Sequence, residues 1–143
     1  MLAWRLCRAP FATLDGEGGL RFGGRWNSPG RPIVYAASTA ALCVLEVRVH
    51  LDLPLELLPD DYVLVTIDLG ALAVERLGAI PRAPASFGDT WLRETRTPVL
   101  EVPSAIVPES ANLLLNPAHP LAAGARIVAT RPFAFDERLW RGS

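Results

Sequence analysis

The chain contains no lysine. All fourteen of its basic residues are arginine, which excludes a lysine nucleophile or Schiff base. Charge of either sign is scarce: a fifth of the 143 residues are charged, and they nearly cancel to a net −1. Such a chain offers no broad basic surface to nucleic acid or to anionic lipid. Only two cysteines occur, Cys7 and Cys43, far apart and in apolar surroundings. Without a CxxC pair or His-rich spacing they argue against zinc, and buried free thiols in a reducing compartment are expected. No apolar run approaches the roughly 20 residues of a membrane span. The opening MLAWRLCRAPF lacks the long apolar core of a signal peptide. A cytoplasmic protein is therefore expected. There is no GxGxxG, Walker loop or GxSxG elbow, so Rossmann, P-loop and hydrolase-triad chemistry have no support.

What the chain does have is apolar residues, at half its length. That is enough for a globular core in a single domain over residues 1–143. Thirteen prolines and eleven glycines are spread throughout, implying many short elements. Ala3–Cys7 reads as a first strand. Pro10–Asn27, rich in glycine and polar residues, reads as a long functional loop. A buried strand is expected over Pro32–Ala37. Ser38 or Thr39 then caps a helix running to about His50, with Ala41, Leu42, Leu45 and Val49 facing a core. Tyr62–Leu69 alternates as a strand. Ala71–Leu77 reads as a weak helix, and residues 87–95 as an amphipathic helix ending before Pro98. Val99–Val102, Ala105–Val107 and Asn112–Leu115 read as short strands, and Ile127–Phe135 as the closing one. Strands outnumber helices without regular alternation, which favours a mixed α+β fold.

Candidate chemistry concentrates between Gly23 and His50. Arg25 follows two glycines, a setting in which backbone can approach a ligand and a guanidinium can fork onto a phosphate. An ordinary loop arginine fits the same motif. Tyr35 ends an apolar strand, with its ring in the core or against a nucleotide. Glu46 sits in the apolar run AALCVLEVRV. A carboxylate buried there needs a reason, whereas a solvent-facing helix position needs none. His50 stands one turn on, able to orient Glu46 or simply to complement the helix dipole. With no third ligand at suitable spacing, the two make a poor metal site. Ser104, in VPSAIVPES, is nonspecific alone.

Taken in order, the first strand RLCR, the loop GGRWN, the run VYAASTAALCVLEVRVH, the P-S-x-x-x-P segment, the LLLNP-x-HP turn and the C-terminal PFAFDERL resemble the RES domain. This is a family of toxins from RES–Xre toxin–antitoxin pairs, and the likeness extends over nearly the whole chain. The resemblance implies an ADP-ribosyltransferase-like fold, a split mixed β-sheet with flanking helices around a NAD cleft. It implies consumption of NAD at the nicotinamide–ribose bond by phosphorolysis or hydrolysis, without a metal. Protein ADP-ribosylation at the same site, or a non-catalytic nucleotide-binding module, is the alternative. Carried over, Glu46 would be the catalytic carboxylate, Arg25 would hold the NAD phosphates and Tyr35 would pack on nicotinamide or ribose. Ser104 would help position the substrate, with Asn27 and His50 in support. An Xre-like antitoxin would block the cleft near Arg25 and Glu46, and inorganic phosphate is a candidate acceptor. Arg48 departs from the family, whose members more often carry an apolar residue there.

Overall fold

The computed structural model describes residues 1–141. Seven strands form one mixed sheet: β1 (Leu2–Arg8), β2 (Val34–Ala37), β3 (Tyr62–Asp68), β4 (Val74–Arg76), β5 (Val99–Pro103), β6 (Ala111–Leu115) and β7 (Arg126–Pro132). Their spatial order is β4-β5-β6-β2-β1-β3-β7. Only β4 and β5 run parallel; the other neighbours are antiparallel. Three helices flank the sheet: α1 (Glu17–Phe22), α2 (Ala40–Val49) and α3 (Pro84–Glu94). The fold is α+β, as expected. No helix among the described residues is long and apolar enough to cross a membrane.

The alternation of side chains along each strand sorts the core. Val34, Ala36, Val65, Ile67, Val99, Leu113 and Leu115 fill one face. The other face carries two separate clusters. One gathers Trp26, Trp91, Leu92, Leu100, Val102 and Leu114 beneath α3; the other gathers Leu6, Ala37, Leu42, Cys43 and Leu64 beneath α2. They divide where the sheet itself parts. β1 pairs with β3 along its whole length, from Leu2 opposite Asp68 to Arg8 opposite Tyr62. It meets β2 at a single pair, Trp4 opposite Ala37. The split sheet is therefore real, and it opens a gap between the strands at the centre of the fold.

Several local expectations need correction. The segment 10–27 is not all loop, since α1 forms within it despite Gly18 and Gly19. The segment 71–77 holds strand β4 instead of a helix, because pairing with β5 outweighs local propensity. Ala105–Val107 is a turn. Ser104 Oγ accepts hydrogen bonds from the backbone N–H of Ile106 and Val107, both at 3.1 Å, so those donors are lost to a ladder. β7 stops at Pro132; Phe133 still donates its N–H to the Tyr62 carbonyl at 2.9 Å, while Phe135 packs edge-on against both Tyr62 and Phe133. On α2, Ala41 and Val49 are exposed. The inward stripe is Leu42, Cys43, Glu46, Val47 and His50, which places the carboxylate on the protein side of the helix.

Candidate active site

A cavity of about 270 Å³ occupies the parting between β1 and β2. Arg5 and Leu6 of β1 line it, with Tyr35 and Ala37 of β2, and Glu46 and His50 of α2. Gly23, Gly24 and Arg25 of the glycine loop close one side, and Asn112 of β6 contributes from the far side of β2.

Local sequence explains how α2 reaches this place. Thr39 is extended, and its Oγ1 accepts from the Leu42 N–H at 3.1 Å, capping the helix. Leu42 and Cys43 anchor the first turn in the core, and Glu46 follows one turn later, facing the cavity. Glu46 Oε1 accepts from Ser104 Oγ at 2.6 Å. The carboxylate is thus tied to the turn after β5. His50 forms the C-cap and stands exposed at the rim. No hydrogen bond joins it to Glu46 among the described residues.

The glycine loop is held from beneath. Tyr35 Oη donates to Asn27 Oδ1 at 2.6 Å and accepts from the Trp26 N–H at 2.9 Å. Asn27 Nδ2 donates to the carbonyls of Gly19, Ser28 and Arg31. Gly24 lies flat against this phenol; a Cβ there would stand 2.7 Å from Tyr35 Oη. Burial pushes the Tyr35 hydroxyl up to about 12, so it remains a neutral donor. On the other side Asp89 of α3 grips Ser28, accepting from its N–H at 2.9 Å and its Oγ at 2.6 Å. The loop therefore presents Arg25 from a rigid base. Arg25 is exposed at the cavity mouth and makes no ion pair or hydrogen bond within the described residues.

Four of the six residues singled out from sequence meet at the cavity: Arg25, Tyr35, Glu46 and His50. Asn27 and Ser104 do not line it. Asn27 is only 2% exposed, with its amide committed to the loop, and Ser104 is 1% exposed behind Glu46. Their contacts tie Asn27 to Tyr35 and Ser104 to Glu46.

The sequence reading missed Arg5, Cys43 and Asn112. Arg5 is the most informative of the three. Its Nη1 donates to the Tyr35 carbonyl at 3.1 Å across the parted strands. Its Nε is buried with no partner within the structure, an expensive state for a guanidinium unless an anion completes it. The clue was a lone charge inside the apolar strand LAWRLC. Cys43 sits in the cavity wall, and burial raises its thiol to about 12, so it is an inert apolar surface.

The arrangement is a carboxylate and two guanidiniums around a mostly apolar gap. Comparison with known proteins points the same way. The RES domain family model matches residues 2–136. A protein of Pseudomonas putida named Toxin Res is 38% identical, covering 98% of this chain and 100% of that one. The Prs ADP-ribosylating toxin of Sphingobium sp. is 44% identical, over 90% of this chain and 87% of the relative. The NAD(+) phosphorylase MbcT of Mycobacterium tuberculosis is 37% identical across 55% of this chain and 49% of its own. The crystal structure of the M. tuberculosis MbcT–MbcA toxin–antitoxin complex superposes with a TM-score of 0.74 at 23% identity, over 93% of this chain and 84% of that one, so the fold is shared. From the family match and these relatives, the chain belongs to the RES domain family.

Proposed function

We propose that this protein is the toxin of a toxin–antitoxin pair and destroys NAD by breaking its nicotinamide–ribose bond. The observation that carries this reading is the Glu46 carboxylate, aimed into an apolar cavity and fixed there by Ser104. The C1′–N bond breaks with its electron pair going to the pyridinium nitrogen, so nicotinamide leaves neutral. The ribose left behind has oxocarbenium character, and a fixed carboxylate beside it stabilises that positive charge. The acceptor then bonds to C1′: inorganic phosphate gives the ADP-ribose phosphate ester, and water gives ADP-ribose and a proton.

The other residues hold the substrate for this step. Arg5, with its unpaired Nε, and Arg25, free at the mouth, are the groups for the diphosphate. Tyr35 walls the cavity with its ring while its hydroxyl fixes the loop. Such an activity must be restrained in its host. The solved relative is a toxin held by an antitoxin, which supports a partner here. We assign that role to an Xre-like protein covering the mouth near Arg25 and Glu46.

A second reading has its own support, since the 44% identical relative is named an ADP-ribosylating toxin. In that case a protein side chain replaces phosphate or water as acceptor. Proton NMR of NAD with the antitoxin-free protein, with and without phosphate, separates the readings. Nicotinamide should appear with the wild type and fall by at least about a hundredfold in rate with Glu46→Gln. Phosphate-dependent product identifies phosphorolysis. Label from NAD accumulating on a macromolecule identifies protein modification. Equal rates from wild type and Glu46→Gln would remove the catalytic reading altogether.

A further inference from the structure

The cavity is too small for a whole dinucleotide. At about 270 Å³ it lies at the lower end of ligand pockets, with room for a pyridine ring and its ribose. The AMP half of NAD then extends out of the cavity, past Arg25 at the mouth.

An exposed aromatic pair stands there. Phe22 closes α1 and immediately precedes the Gly23–Arg25 lining segment, where Gly23 turns the chain at φ 68°. It is 71% exposed, the highest of any large hydrophobic side chain among the described residues. Its ring is not loose: it packs edge-on against Phe11, with centroids 6.2 Å apart and planes at 71°. Phe11 and the Arg5 guanidinium both face Gly18 of α1. A Cβ at Gly18 would lie 3.5 Å from the Phe11 ring and 3.8 Å from Arg5 Nη2. Phe22 thus offers an open ring face, braced by a second ring, one residue before the segment that walls the cavity and carries Arg25. Water contact costs a phenyl face free energy that a flat heteroaromatic base would recover by stacking.

We propose that Phe22, braced by Phe11, is the platform on which the adenine of NAD stacks, with Arg5 and Arg25 flanking the diphosphate between platform and cavity. The proposal rests on NAD being the substrate. It explains why a residue this apolar stands exposed next to the Gly23–Arg25 segment, and it gives the enzyme a means to prefer the dinucleotide over a mononucleotide carrying the same scissile bond.

Nicotinamide mononucleotide supplies the test, since it lacks the AMP half. Nicotinamide release is measured from NAD and from the mononucleotide with wild type, Phe22→Ala and Phe22→Trp. Binding of ADP-ribose is measured by calorimetry on the same proteins. Stacking of one base predicts that Phe22→Ala lowers the NAD-to-mononucleotide ratio of kcat/KM about tenfold, mostly through KM for NAD, and weakens ADP-ribose by a similar factor. Phe22→Trp should restore both. If the wild type releases no nicotinamide yet its ADP-ribose affinity depends on Phe22, the platform stands and the NAD-cleaving reading falls. If NAD is cleaved and neither the ratio nor the ADP-ribose affinity moves, the platform is overturned. If Phe22→Ala instead loosens only the antitoxin complex, the ring belongs to a protein-docking surface and the proposal is equally overturned.

Discussion

Ser104 Oγ and Glu46 Oε1 stand 2.6 Å apart although their residues are 58 positions apart in sequence. The same hydroxyl accepts from the Ile106 and Val107 amides. Two backbone donors thus orient the oxygen and aim its single proton at the carboxylate. If Glu46 is the catalytic carboxylate, as proposed, Ser104 acts through it. In Ser104→Ala both amides and the carboxylate lose a partner in a buried place. Stability should fall by about 1–3 kcal/mol, as for hydrogen bonds involving a charged group. The rate of nicotinamide release should drop by about tenfold or more, with KM for NAD nearly unchanged. A raised KM at full kcat would instead make Ser104 a substrate contact.

Gly88 controls the glycine loop from the opposite side. A Cβ at this position of α3 would sit 1.7 Å from the Trp26 carbonyl oxygen and 2.8 Å from its carbon. Both are backbone atoms, so the clash cannot be relieved by a rotamer. In Gly88→Ala the helix must move off the loop, straining the Asp89–Ser28 grip next to it. Overpacking of this kind costs about 1–3 kcal/mol or more, and thermal melting should show it. Asp89→Asn weakens the grip without the clash. It should leave the melt nearly unchanged while raising KM for NAD, because Arg25 is then presented less rigidly. A melt of Gly88→Ala equal to wild type would refute the close packing.

The architecture and the cavity were legible from sequence to different degrees. β3 and α3 were recognisable because their periodicity is local and strong, β1 by its apolar run, and α2 by its Thr39 cap and apolar length, although its inward face was misjudged. The carboxylate of Glu46 stood out because its neighbours are apolar. Arg5 carried the same signal, a charge within LAWRLC, yet its importance comes from the parting of β1 and β2, which no local pattern encodes. Asn27 and Ser104 entered only through the family resemblance, as a supporting residue and as a residue that helps position the substrate. Only the fold shows their polar atoms already occupied by Tyr35, three carbonyls and Glu46. β4 was missed for a related reason, since three residues become a strand only through pairing with β5.

Tyr35 makes the site sensitive to strong alkali. Burial raises its hydroxyl from an ordinary value near 10 to about 12 in the folded protein. A folded value above the unfolded one means that folding favours the protonated form. This contribution is fully present below pH 10 and is lost as pH rises from 10 through about 12. Ionised, the phenolate can no longer donate to Asn27, and the loop loses its base. Tyrosinate absorbance compared between wild type and Tyr35→Phe should isolate a midpoint near 12. Tyr35→Phe should flatten that part of the stability profile. At neutral pH it should cost about 1–3 kcal/mol, because the Trp26 amide is left unpaired. A Tyr35 midpoint at the ordinary value would contradict the buried setting.

Arg48 ties the C-terminal segment to α2. Its guanidinium carbon lies 4.0 Å from the Trp140 ring centroid. Its Nε donates to the Leu139 carbonyl at 3.0 Å and its Nη1 to the Leu51 carbonyl at 3.1 Å. Trp140 answers with an indole N–H donated to the Leu53 carbonyl at 2.9 Å and an edge contact to Phe135. Arginine suits this place because one planar fork stacks on a ring and reaches two carbonyls at once. Replacing it by an unbranched apolar residue, as in Arg48→Met, keeps the stem but removes the stack and both hydrogen bonds. Stability should fall by about 1–2 kcal/mol. The Trp140 indole N–H signal should shift and exchange faster as the contact with Leu53 opens. Arg48→Lys restores the charge without the fork, so it should recover only part of the loss. Glu46 precedes Arg48 by two residues on the same helix, so its rate should respond only a few-fold. An unmoved Trp140 signal in Arg48→Met would mean that the segment is held by its aromatic contacts alone.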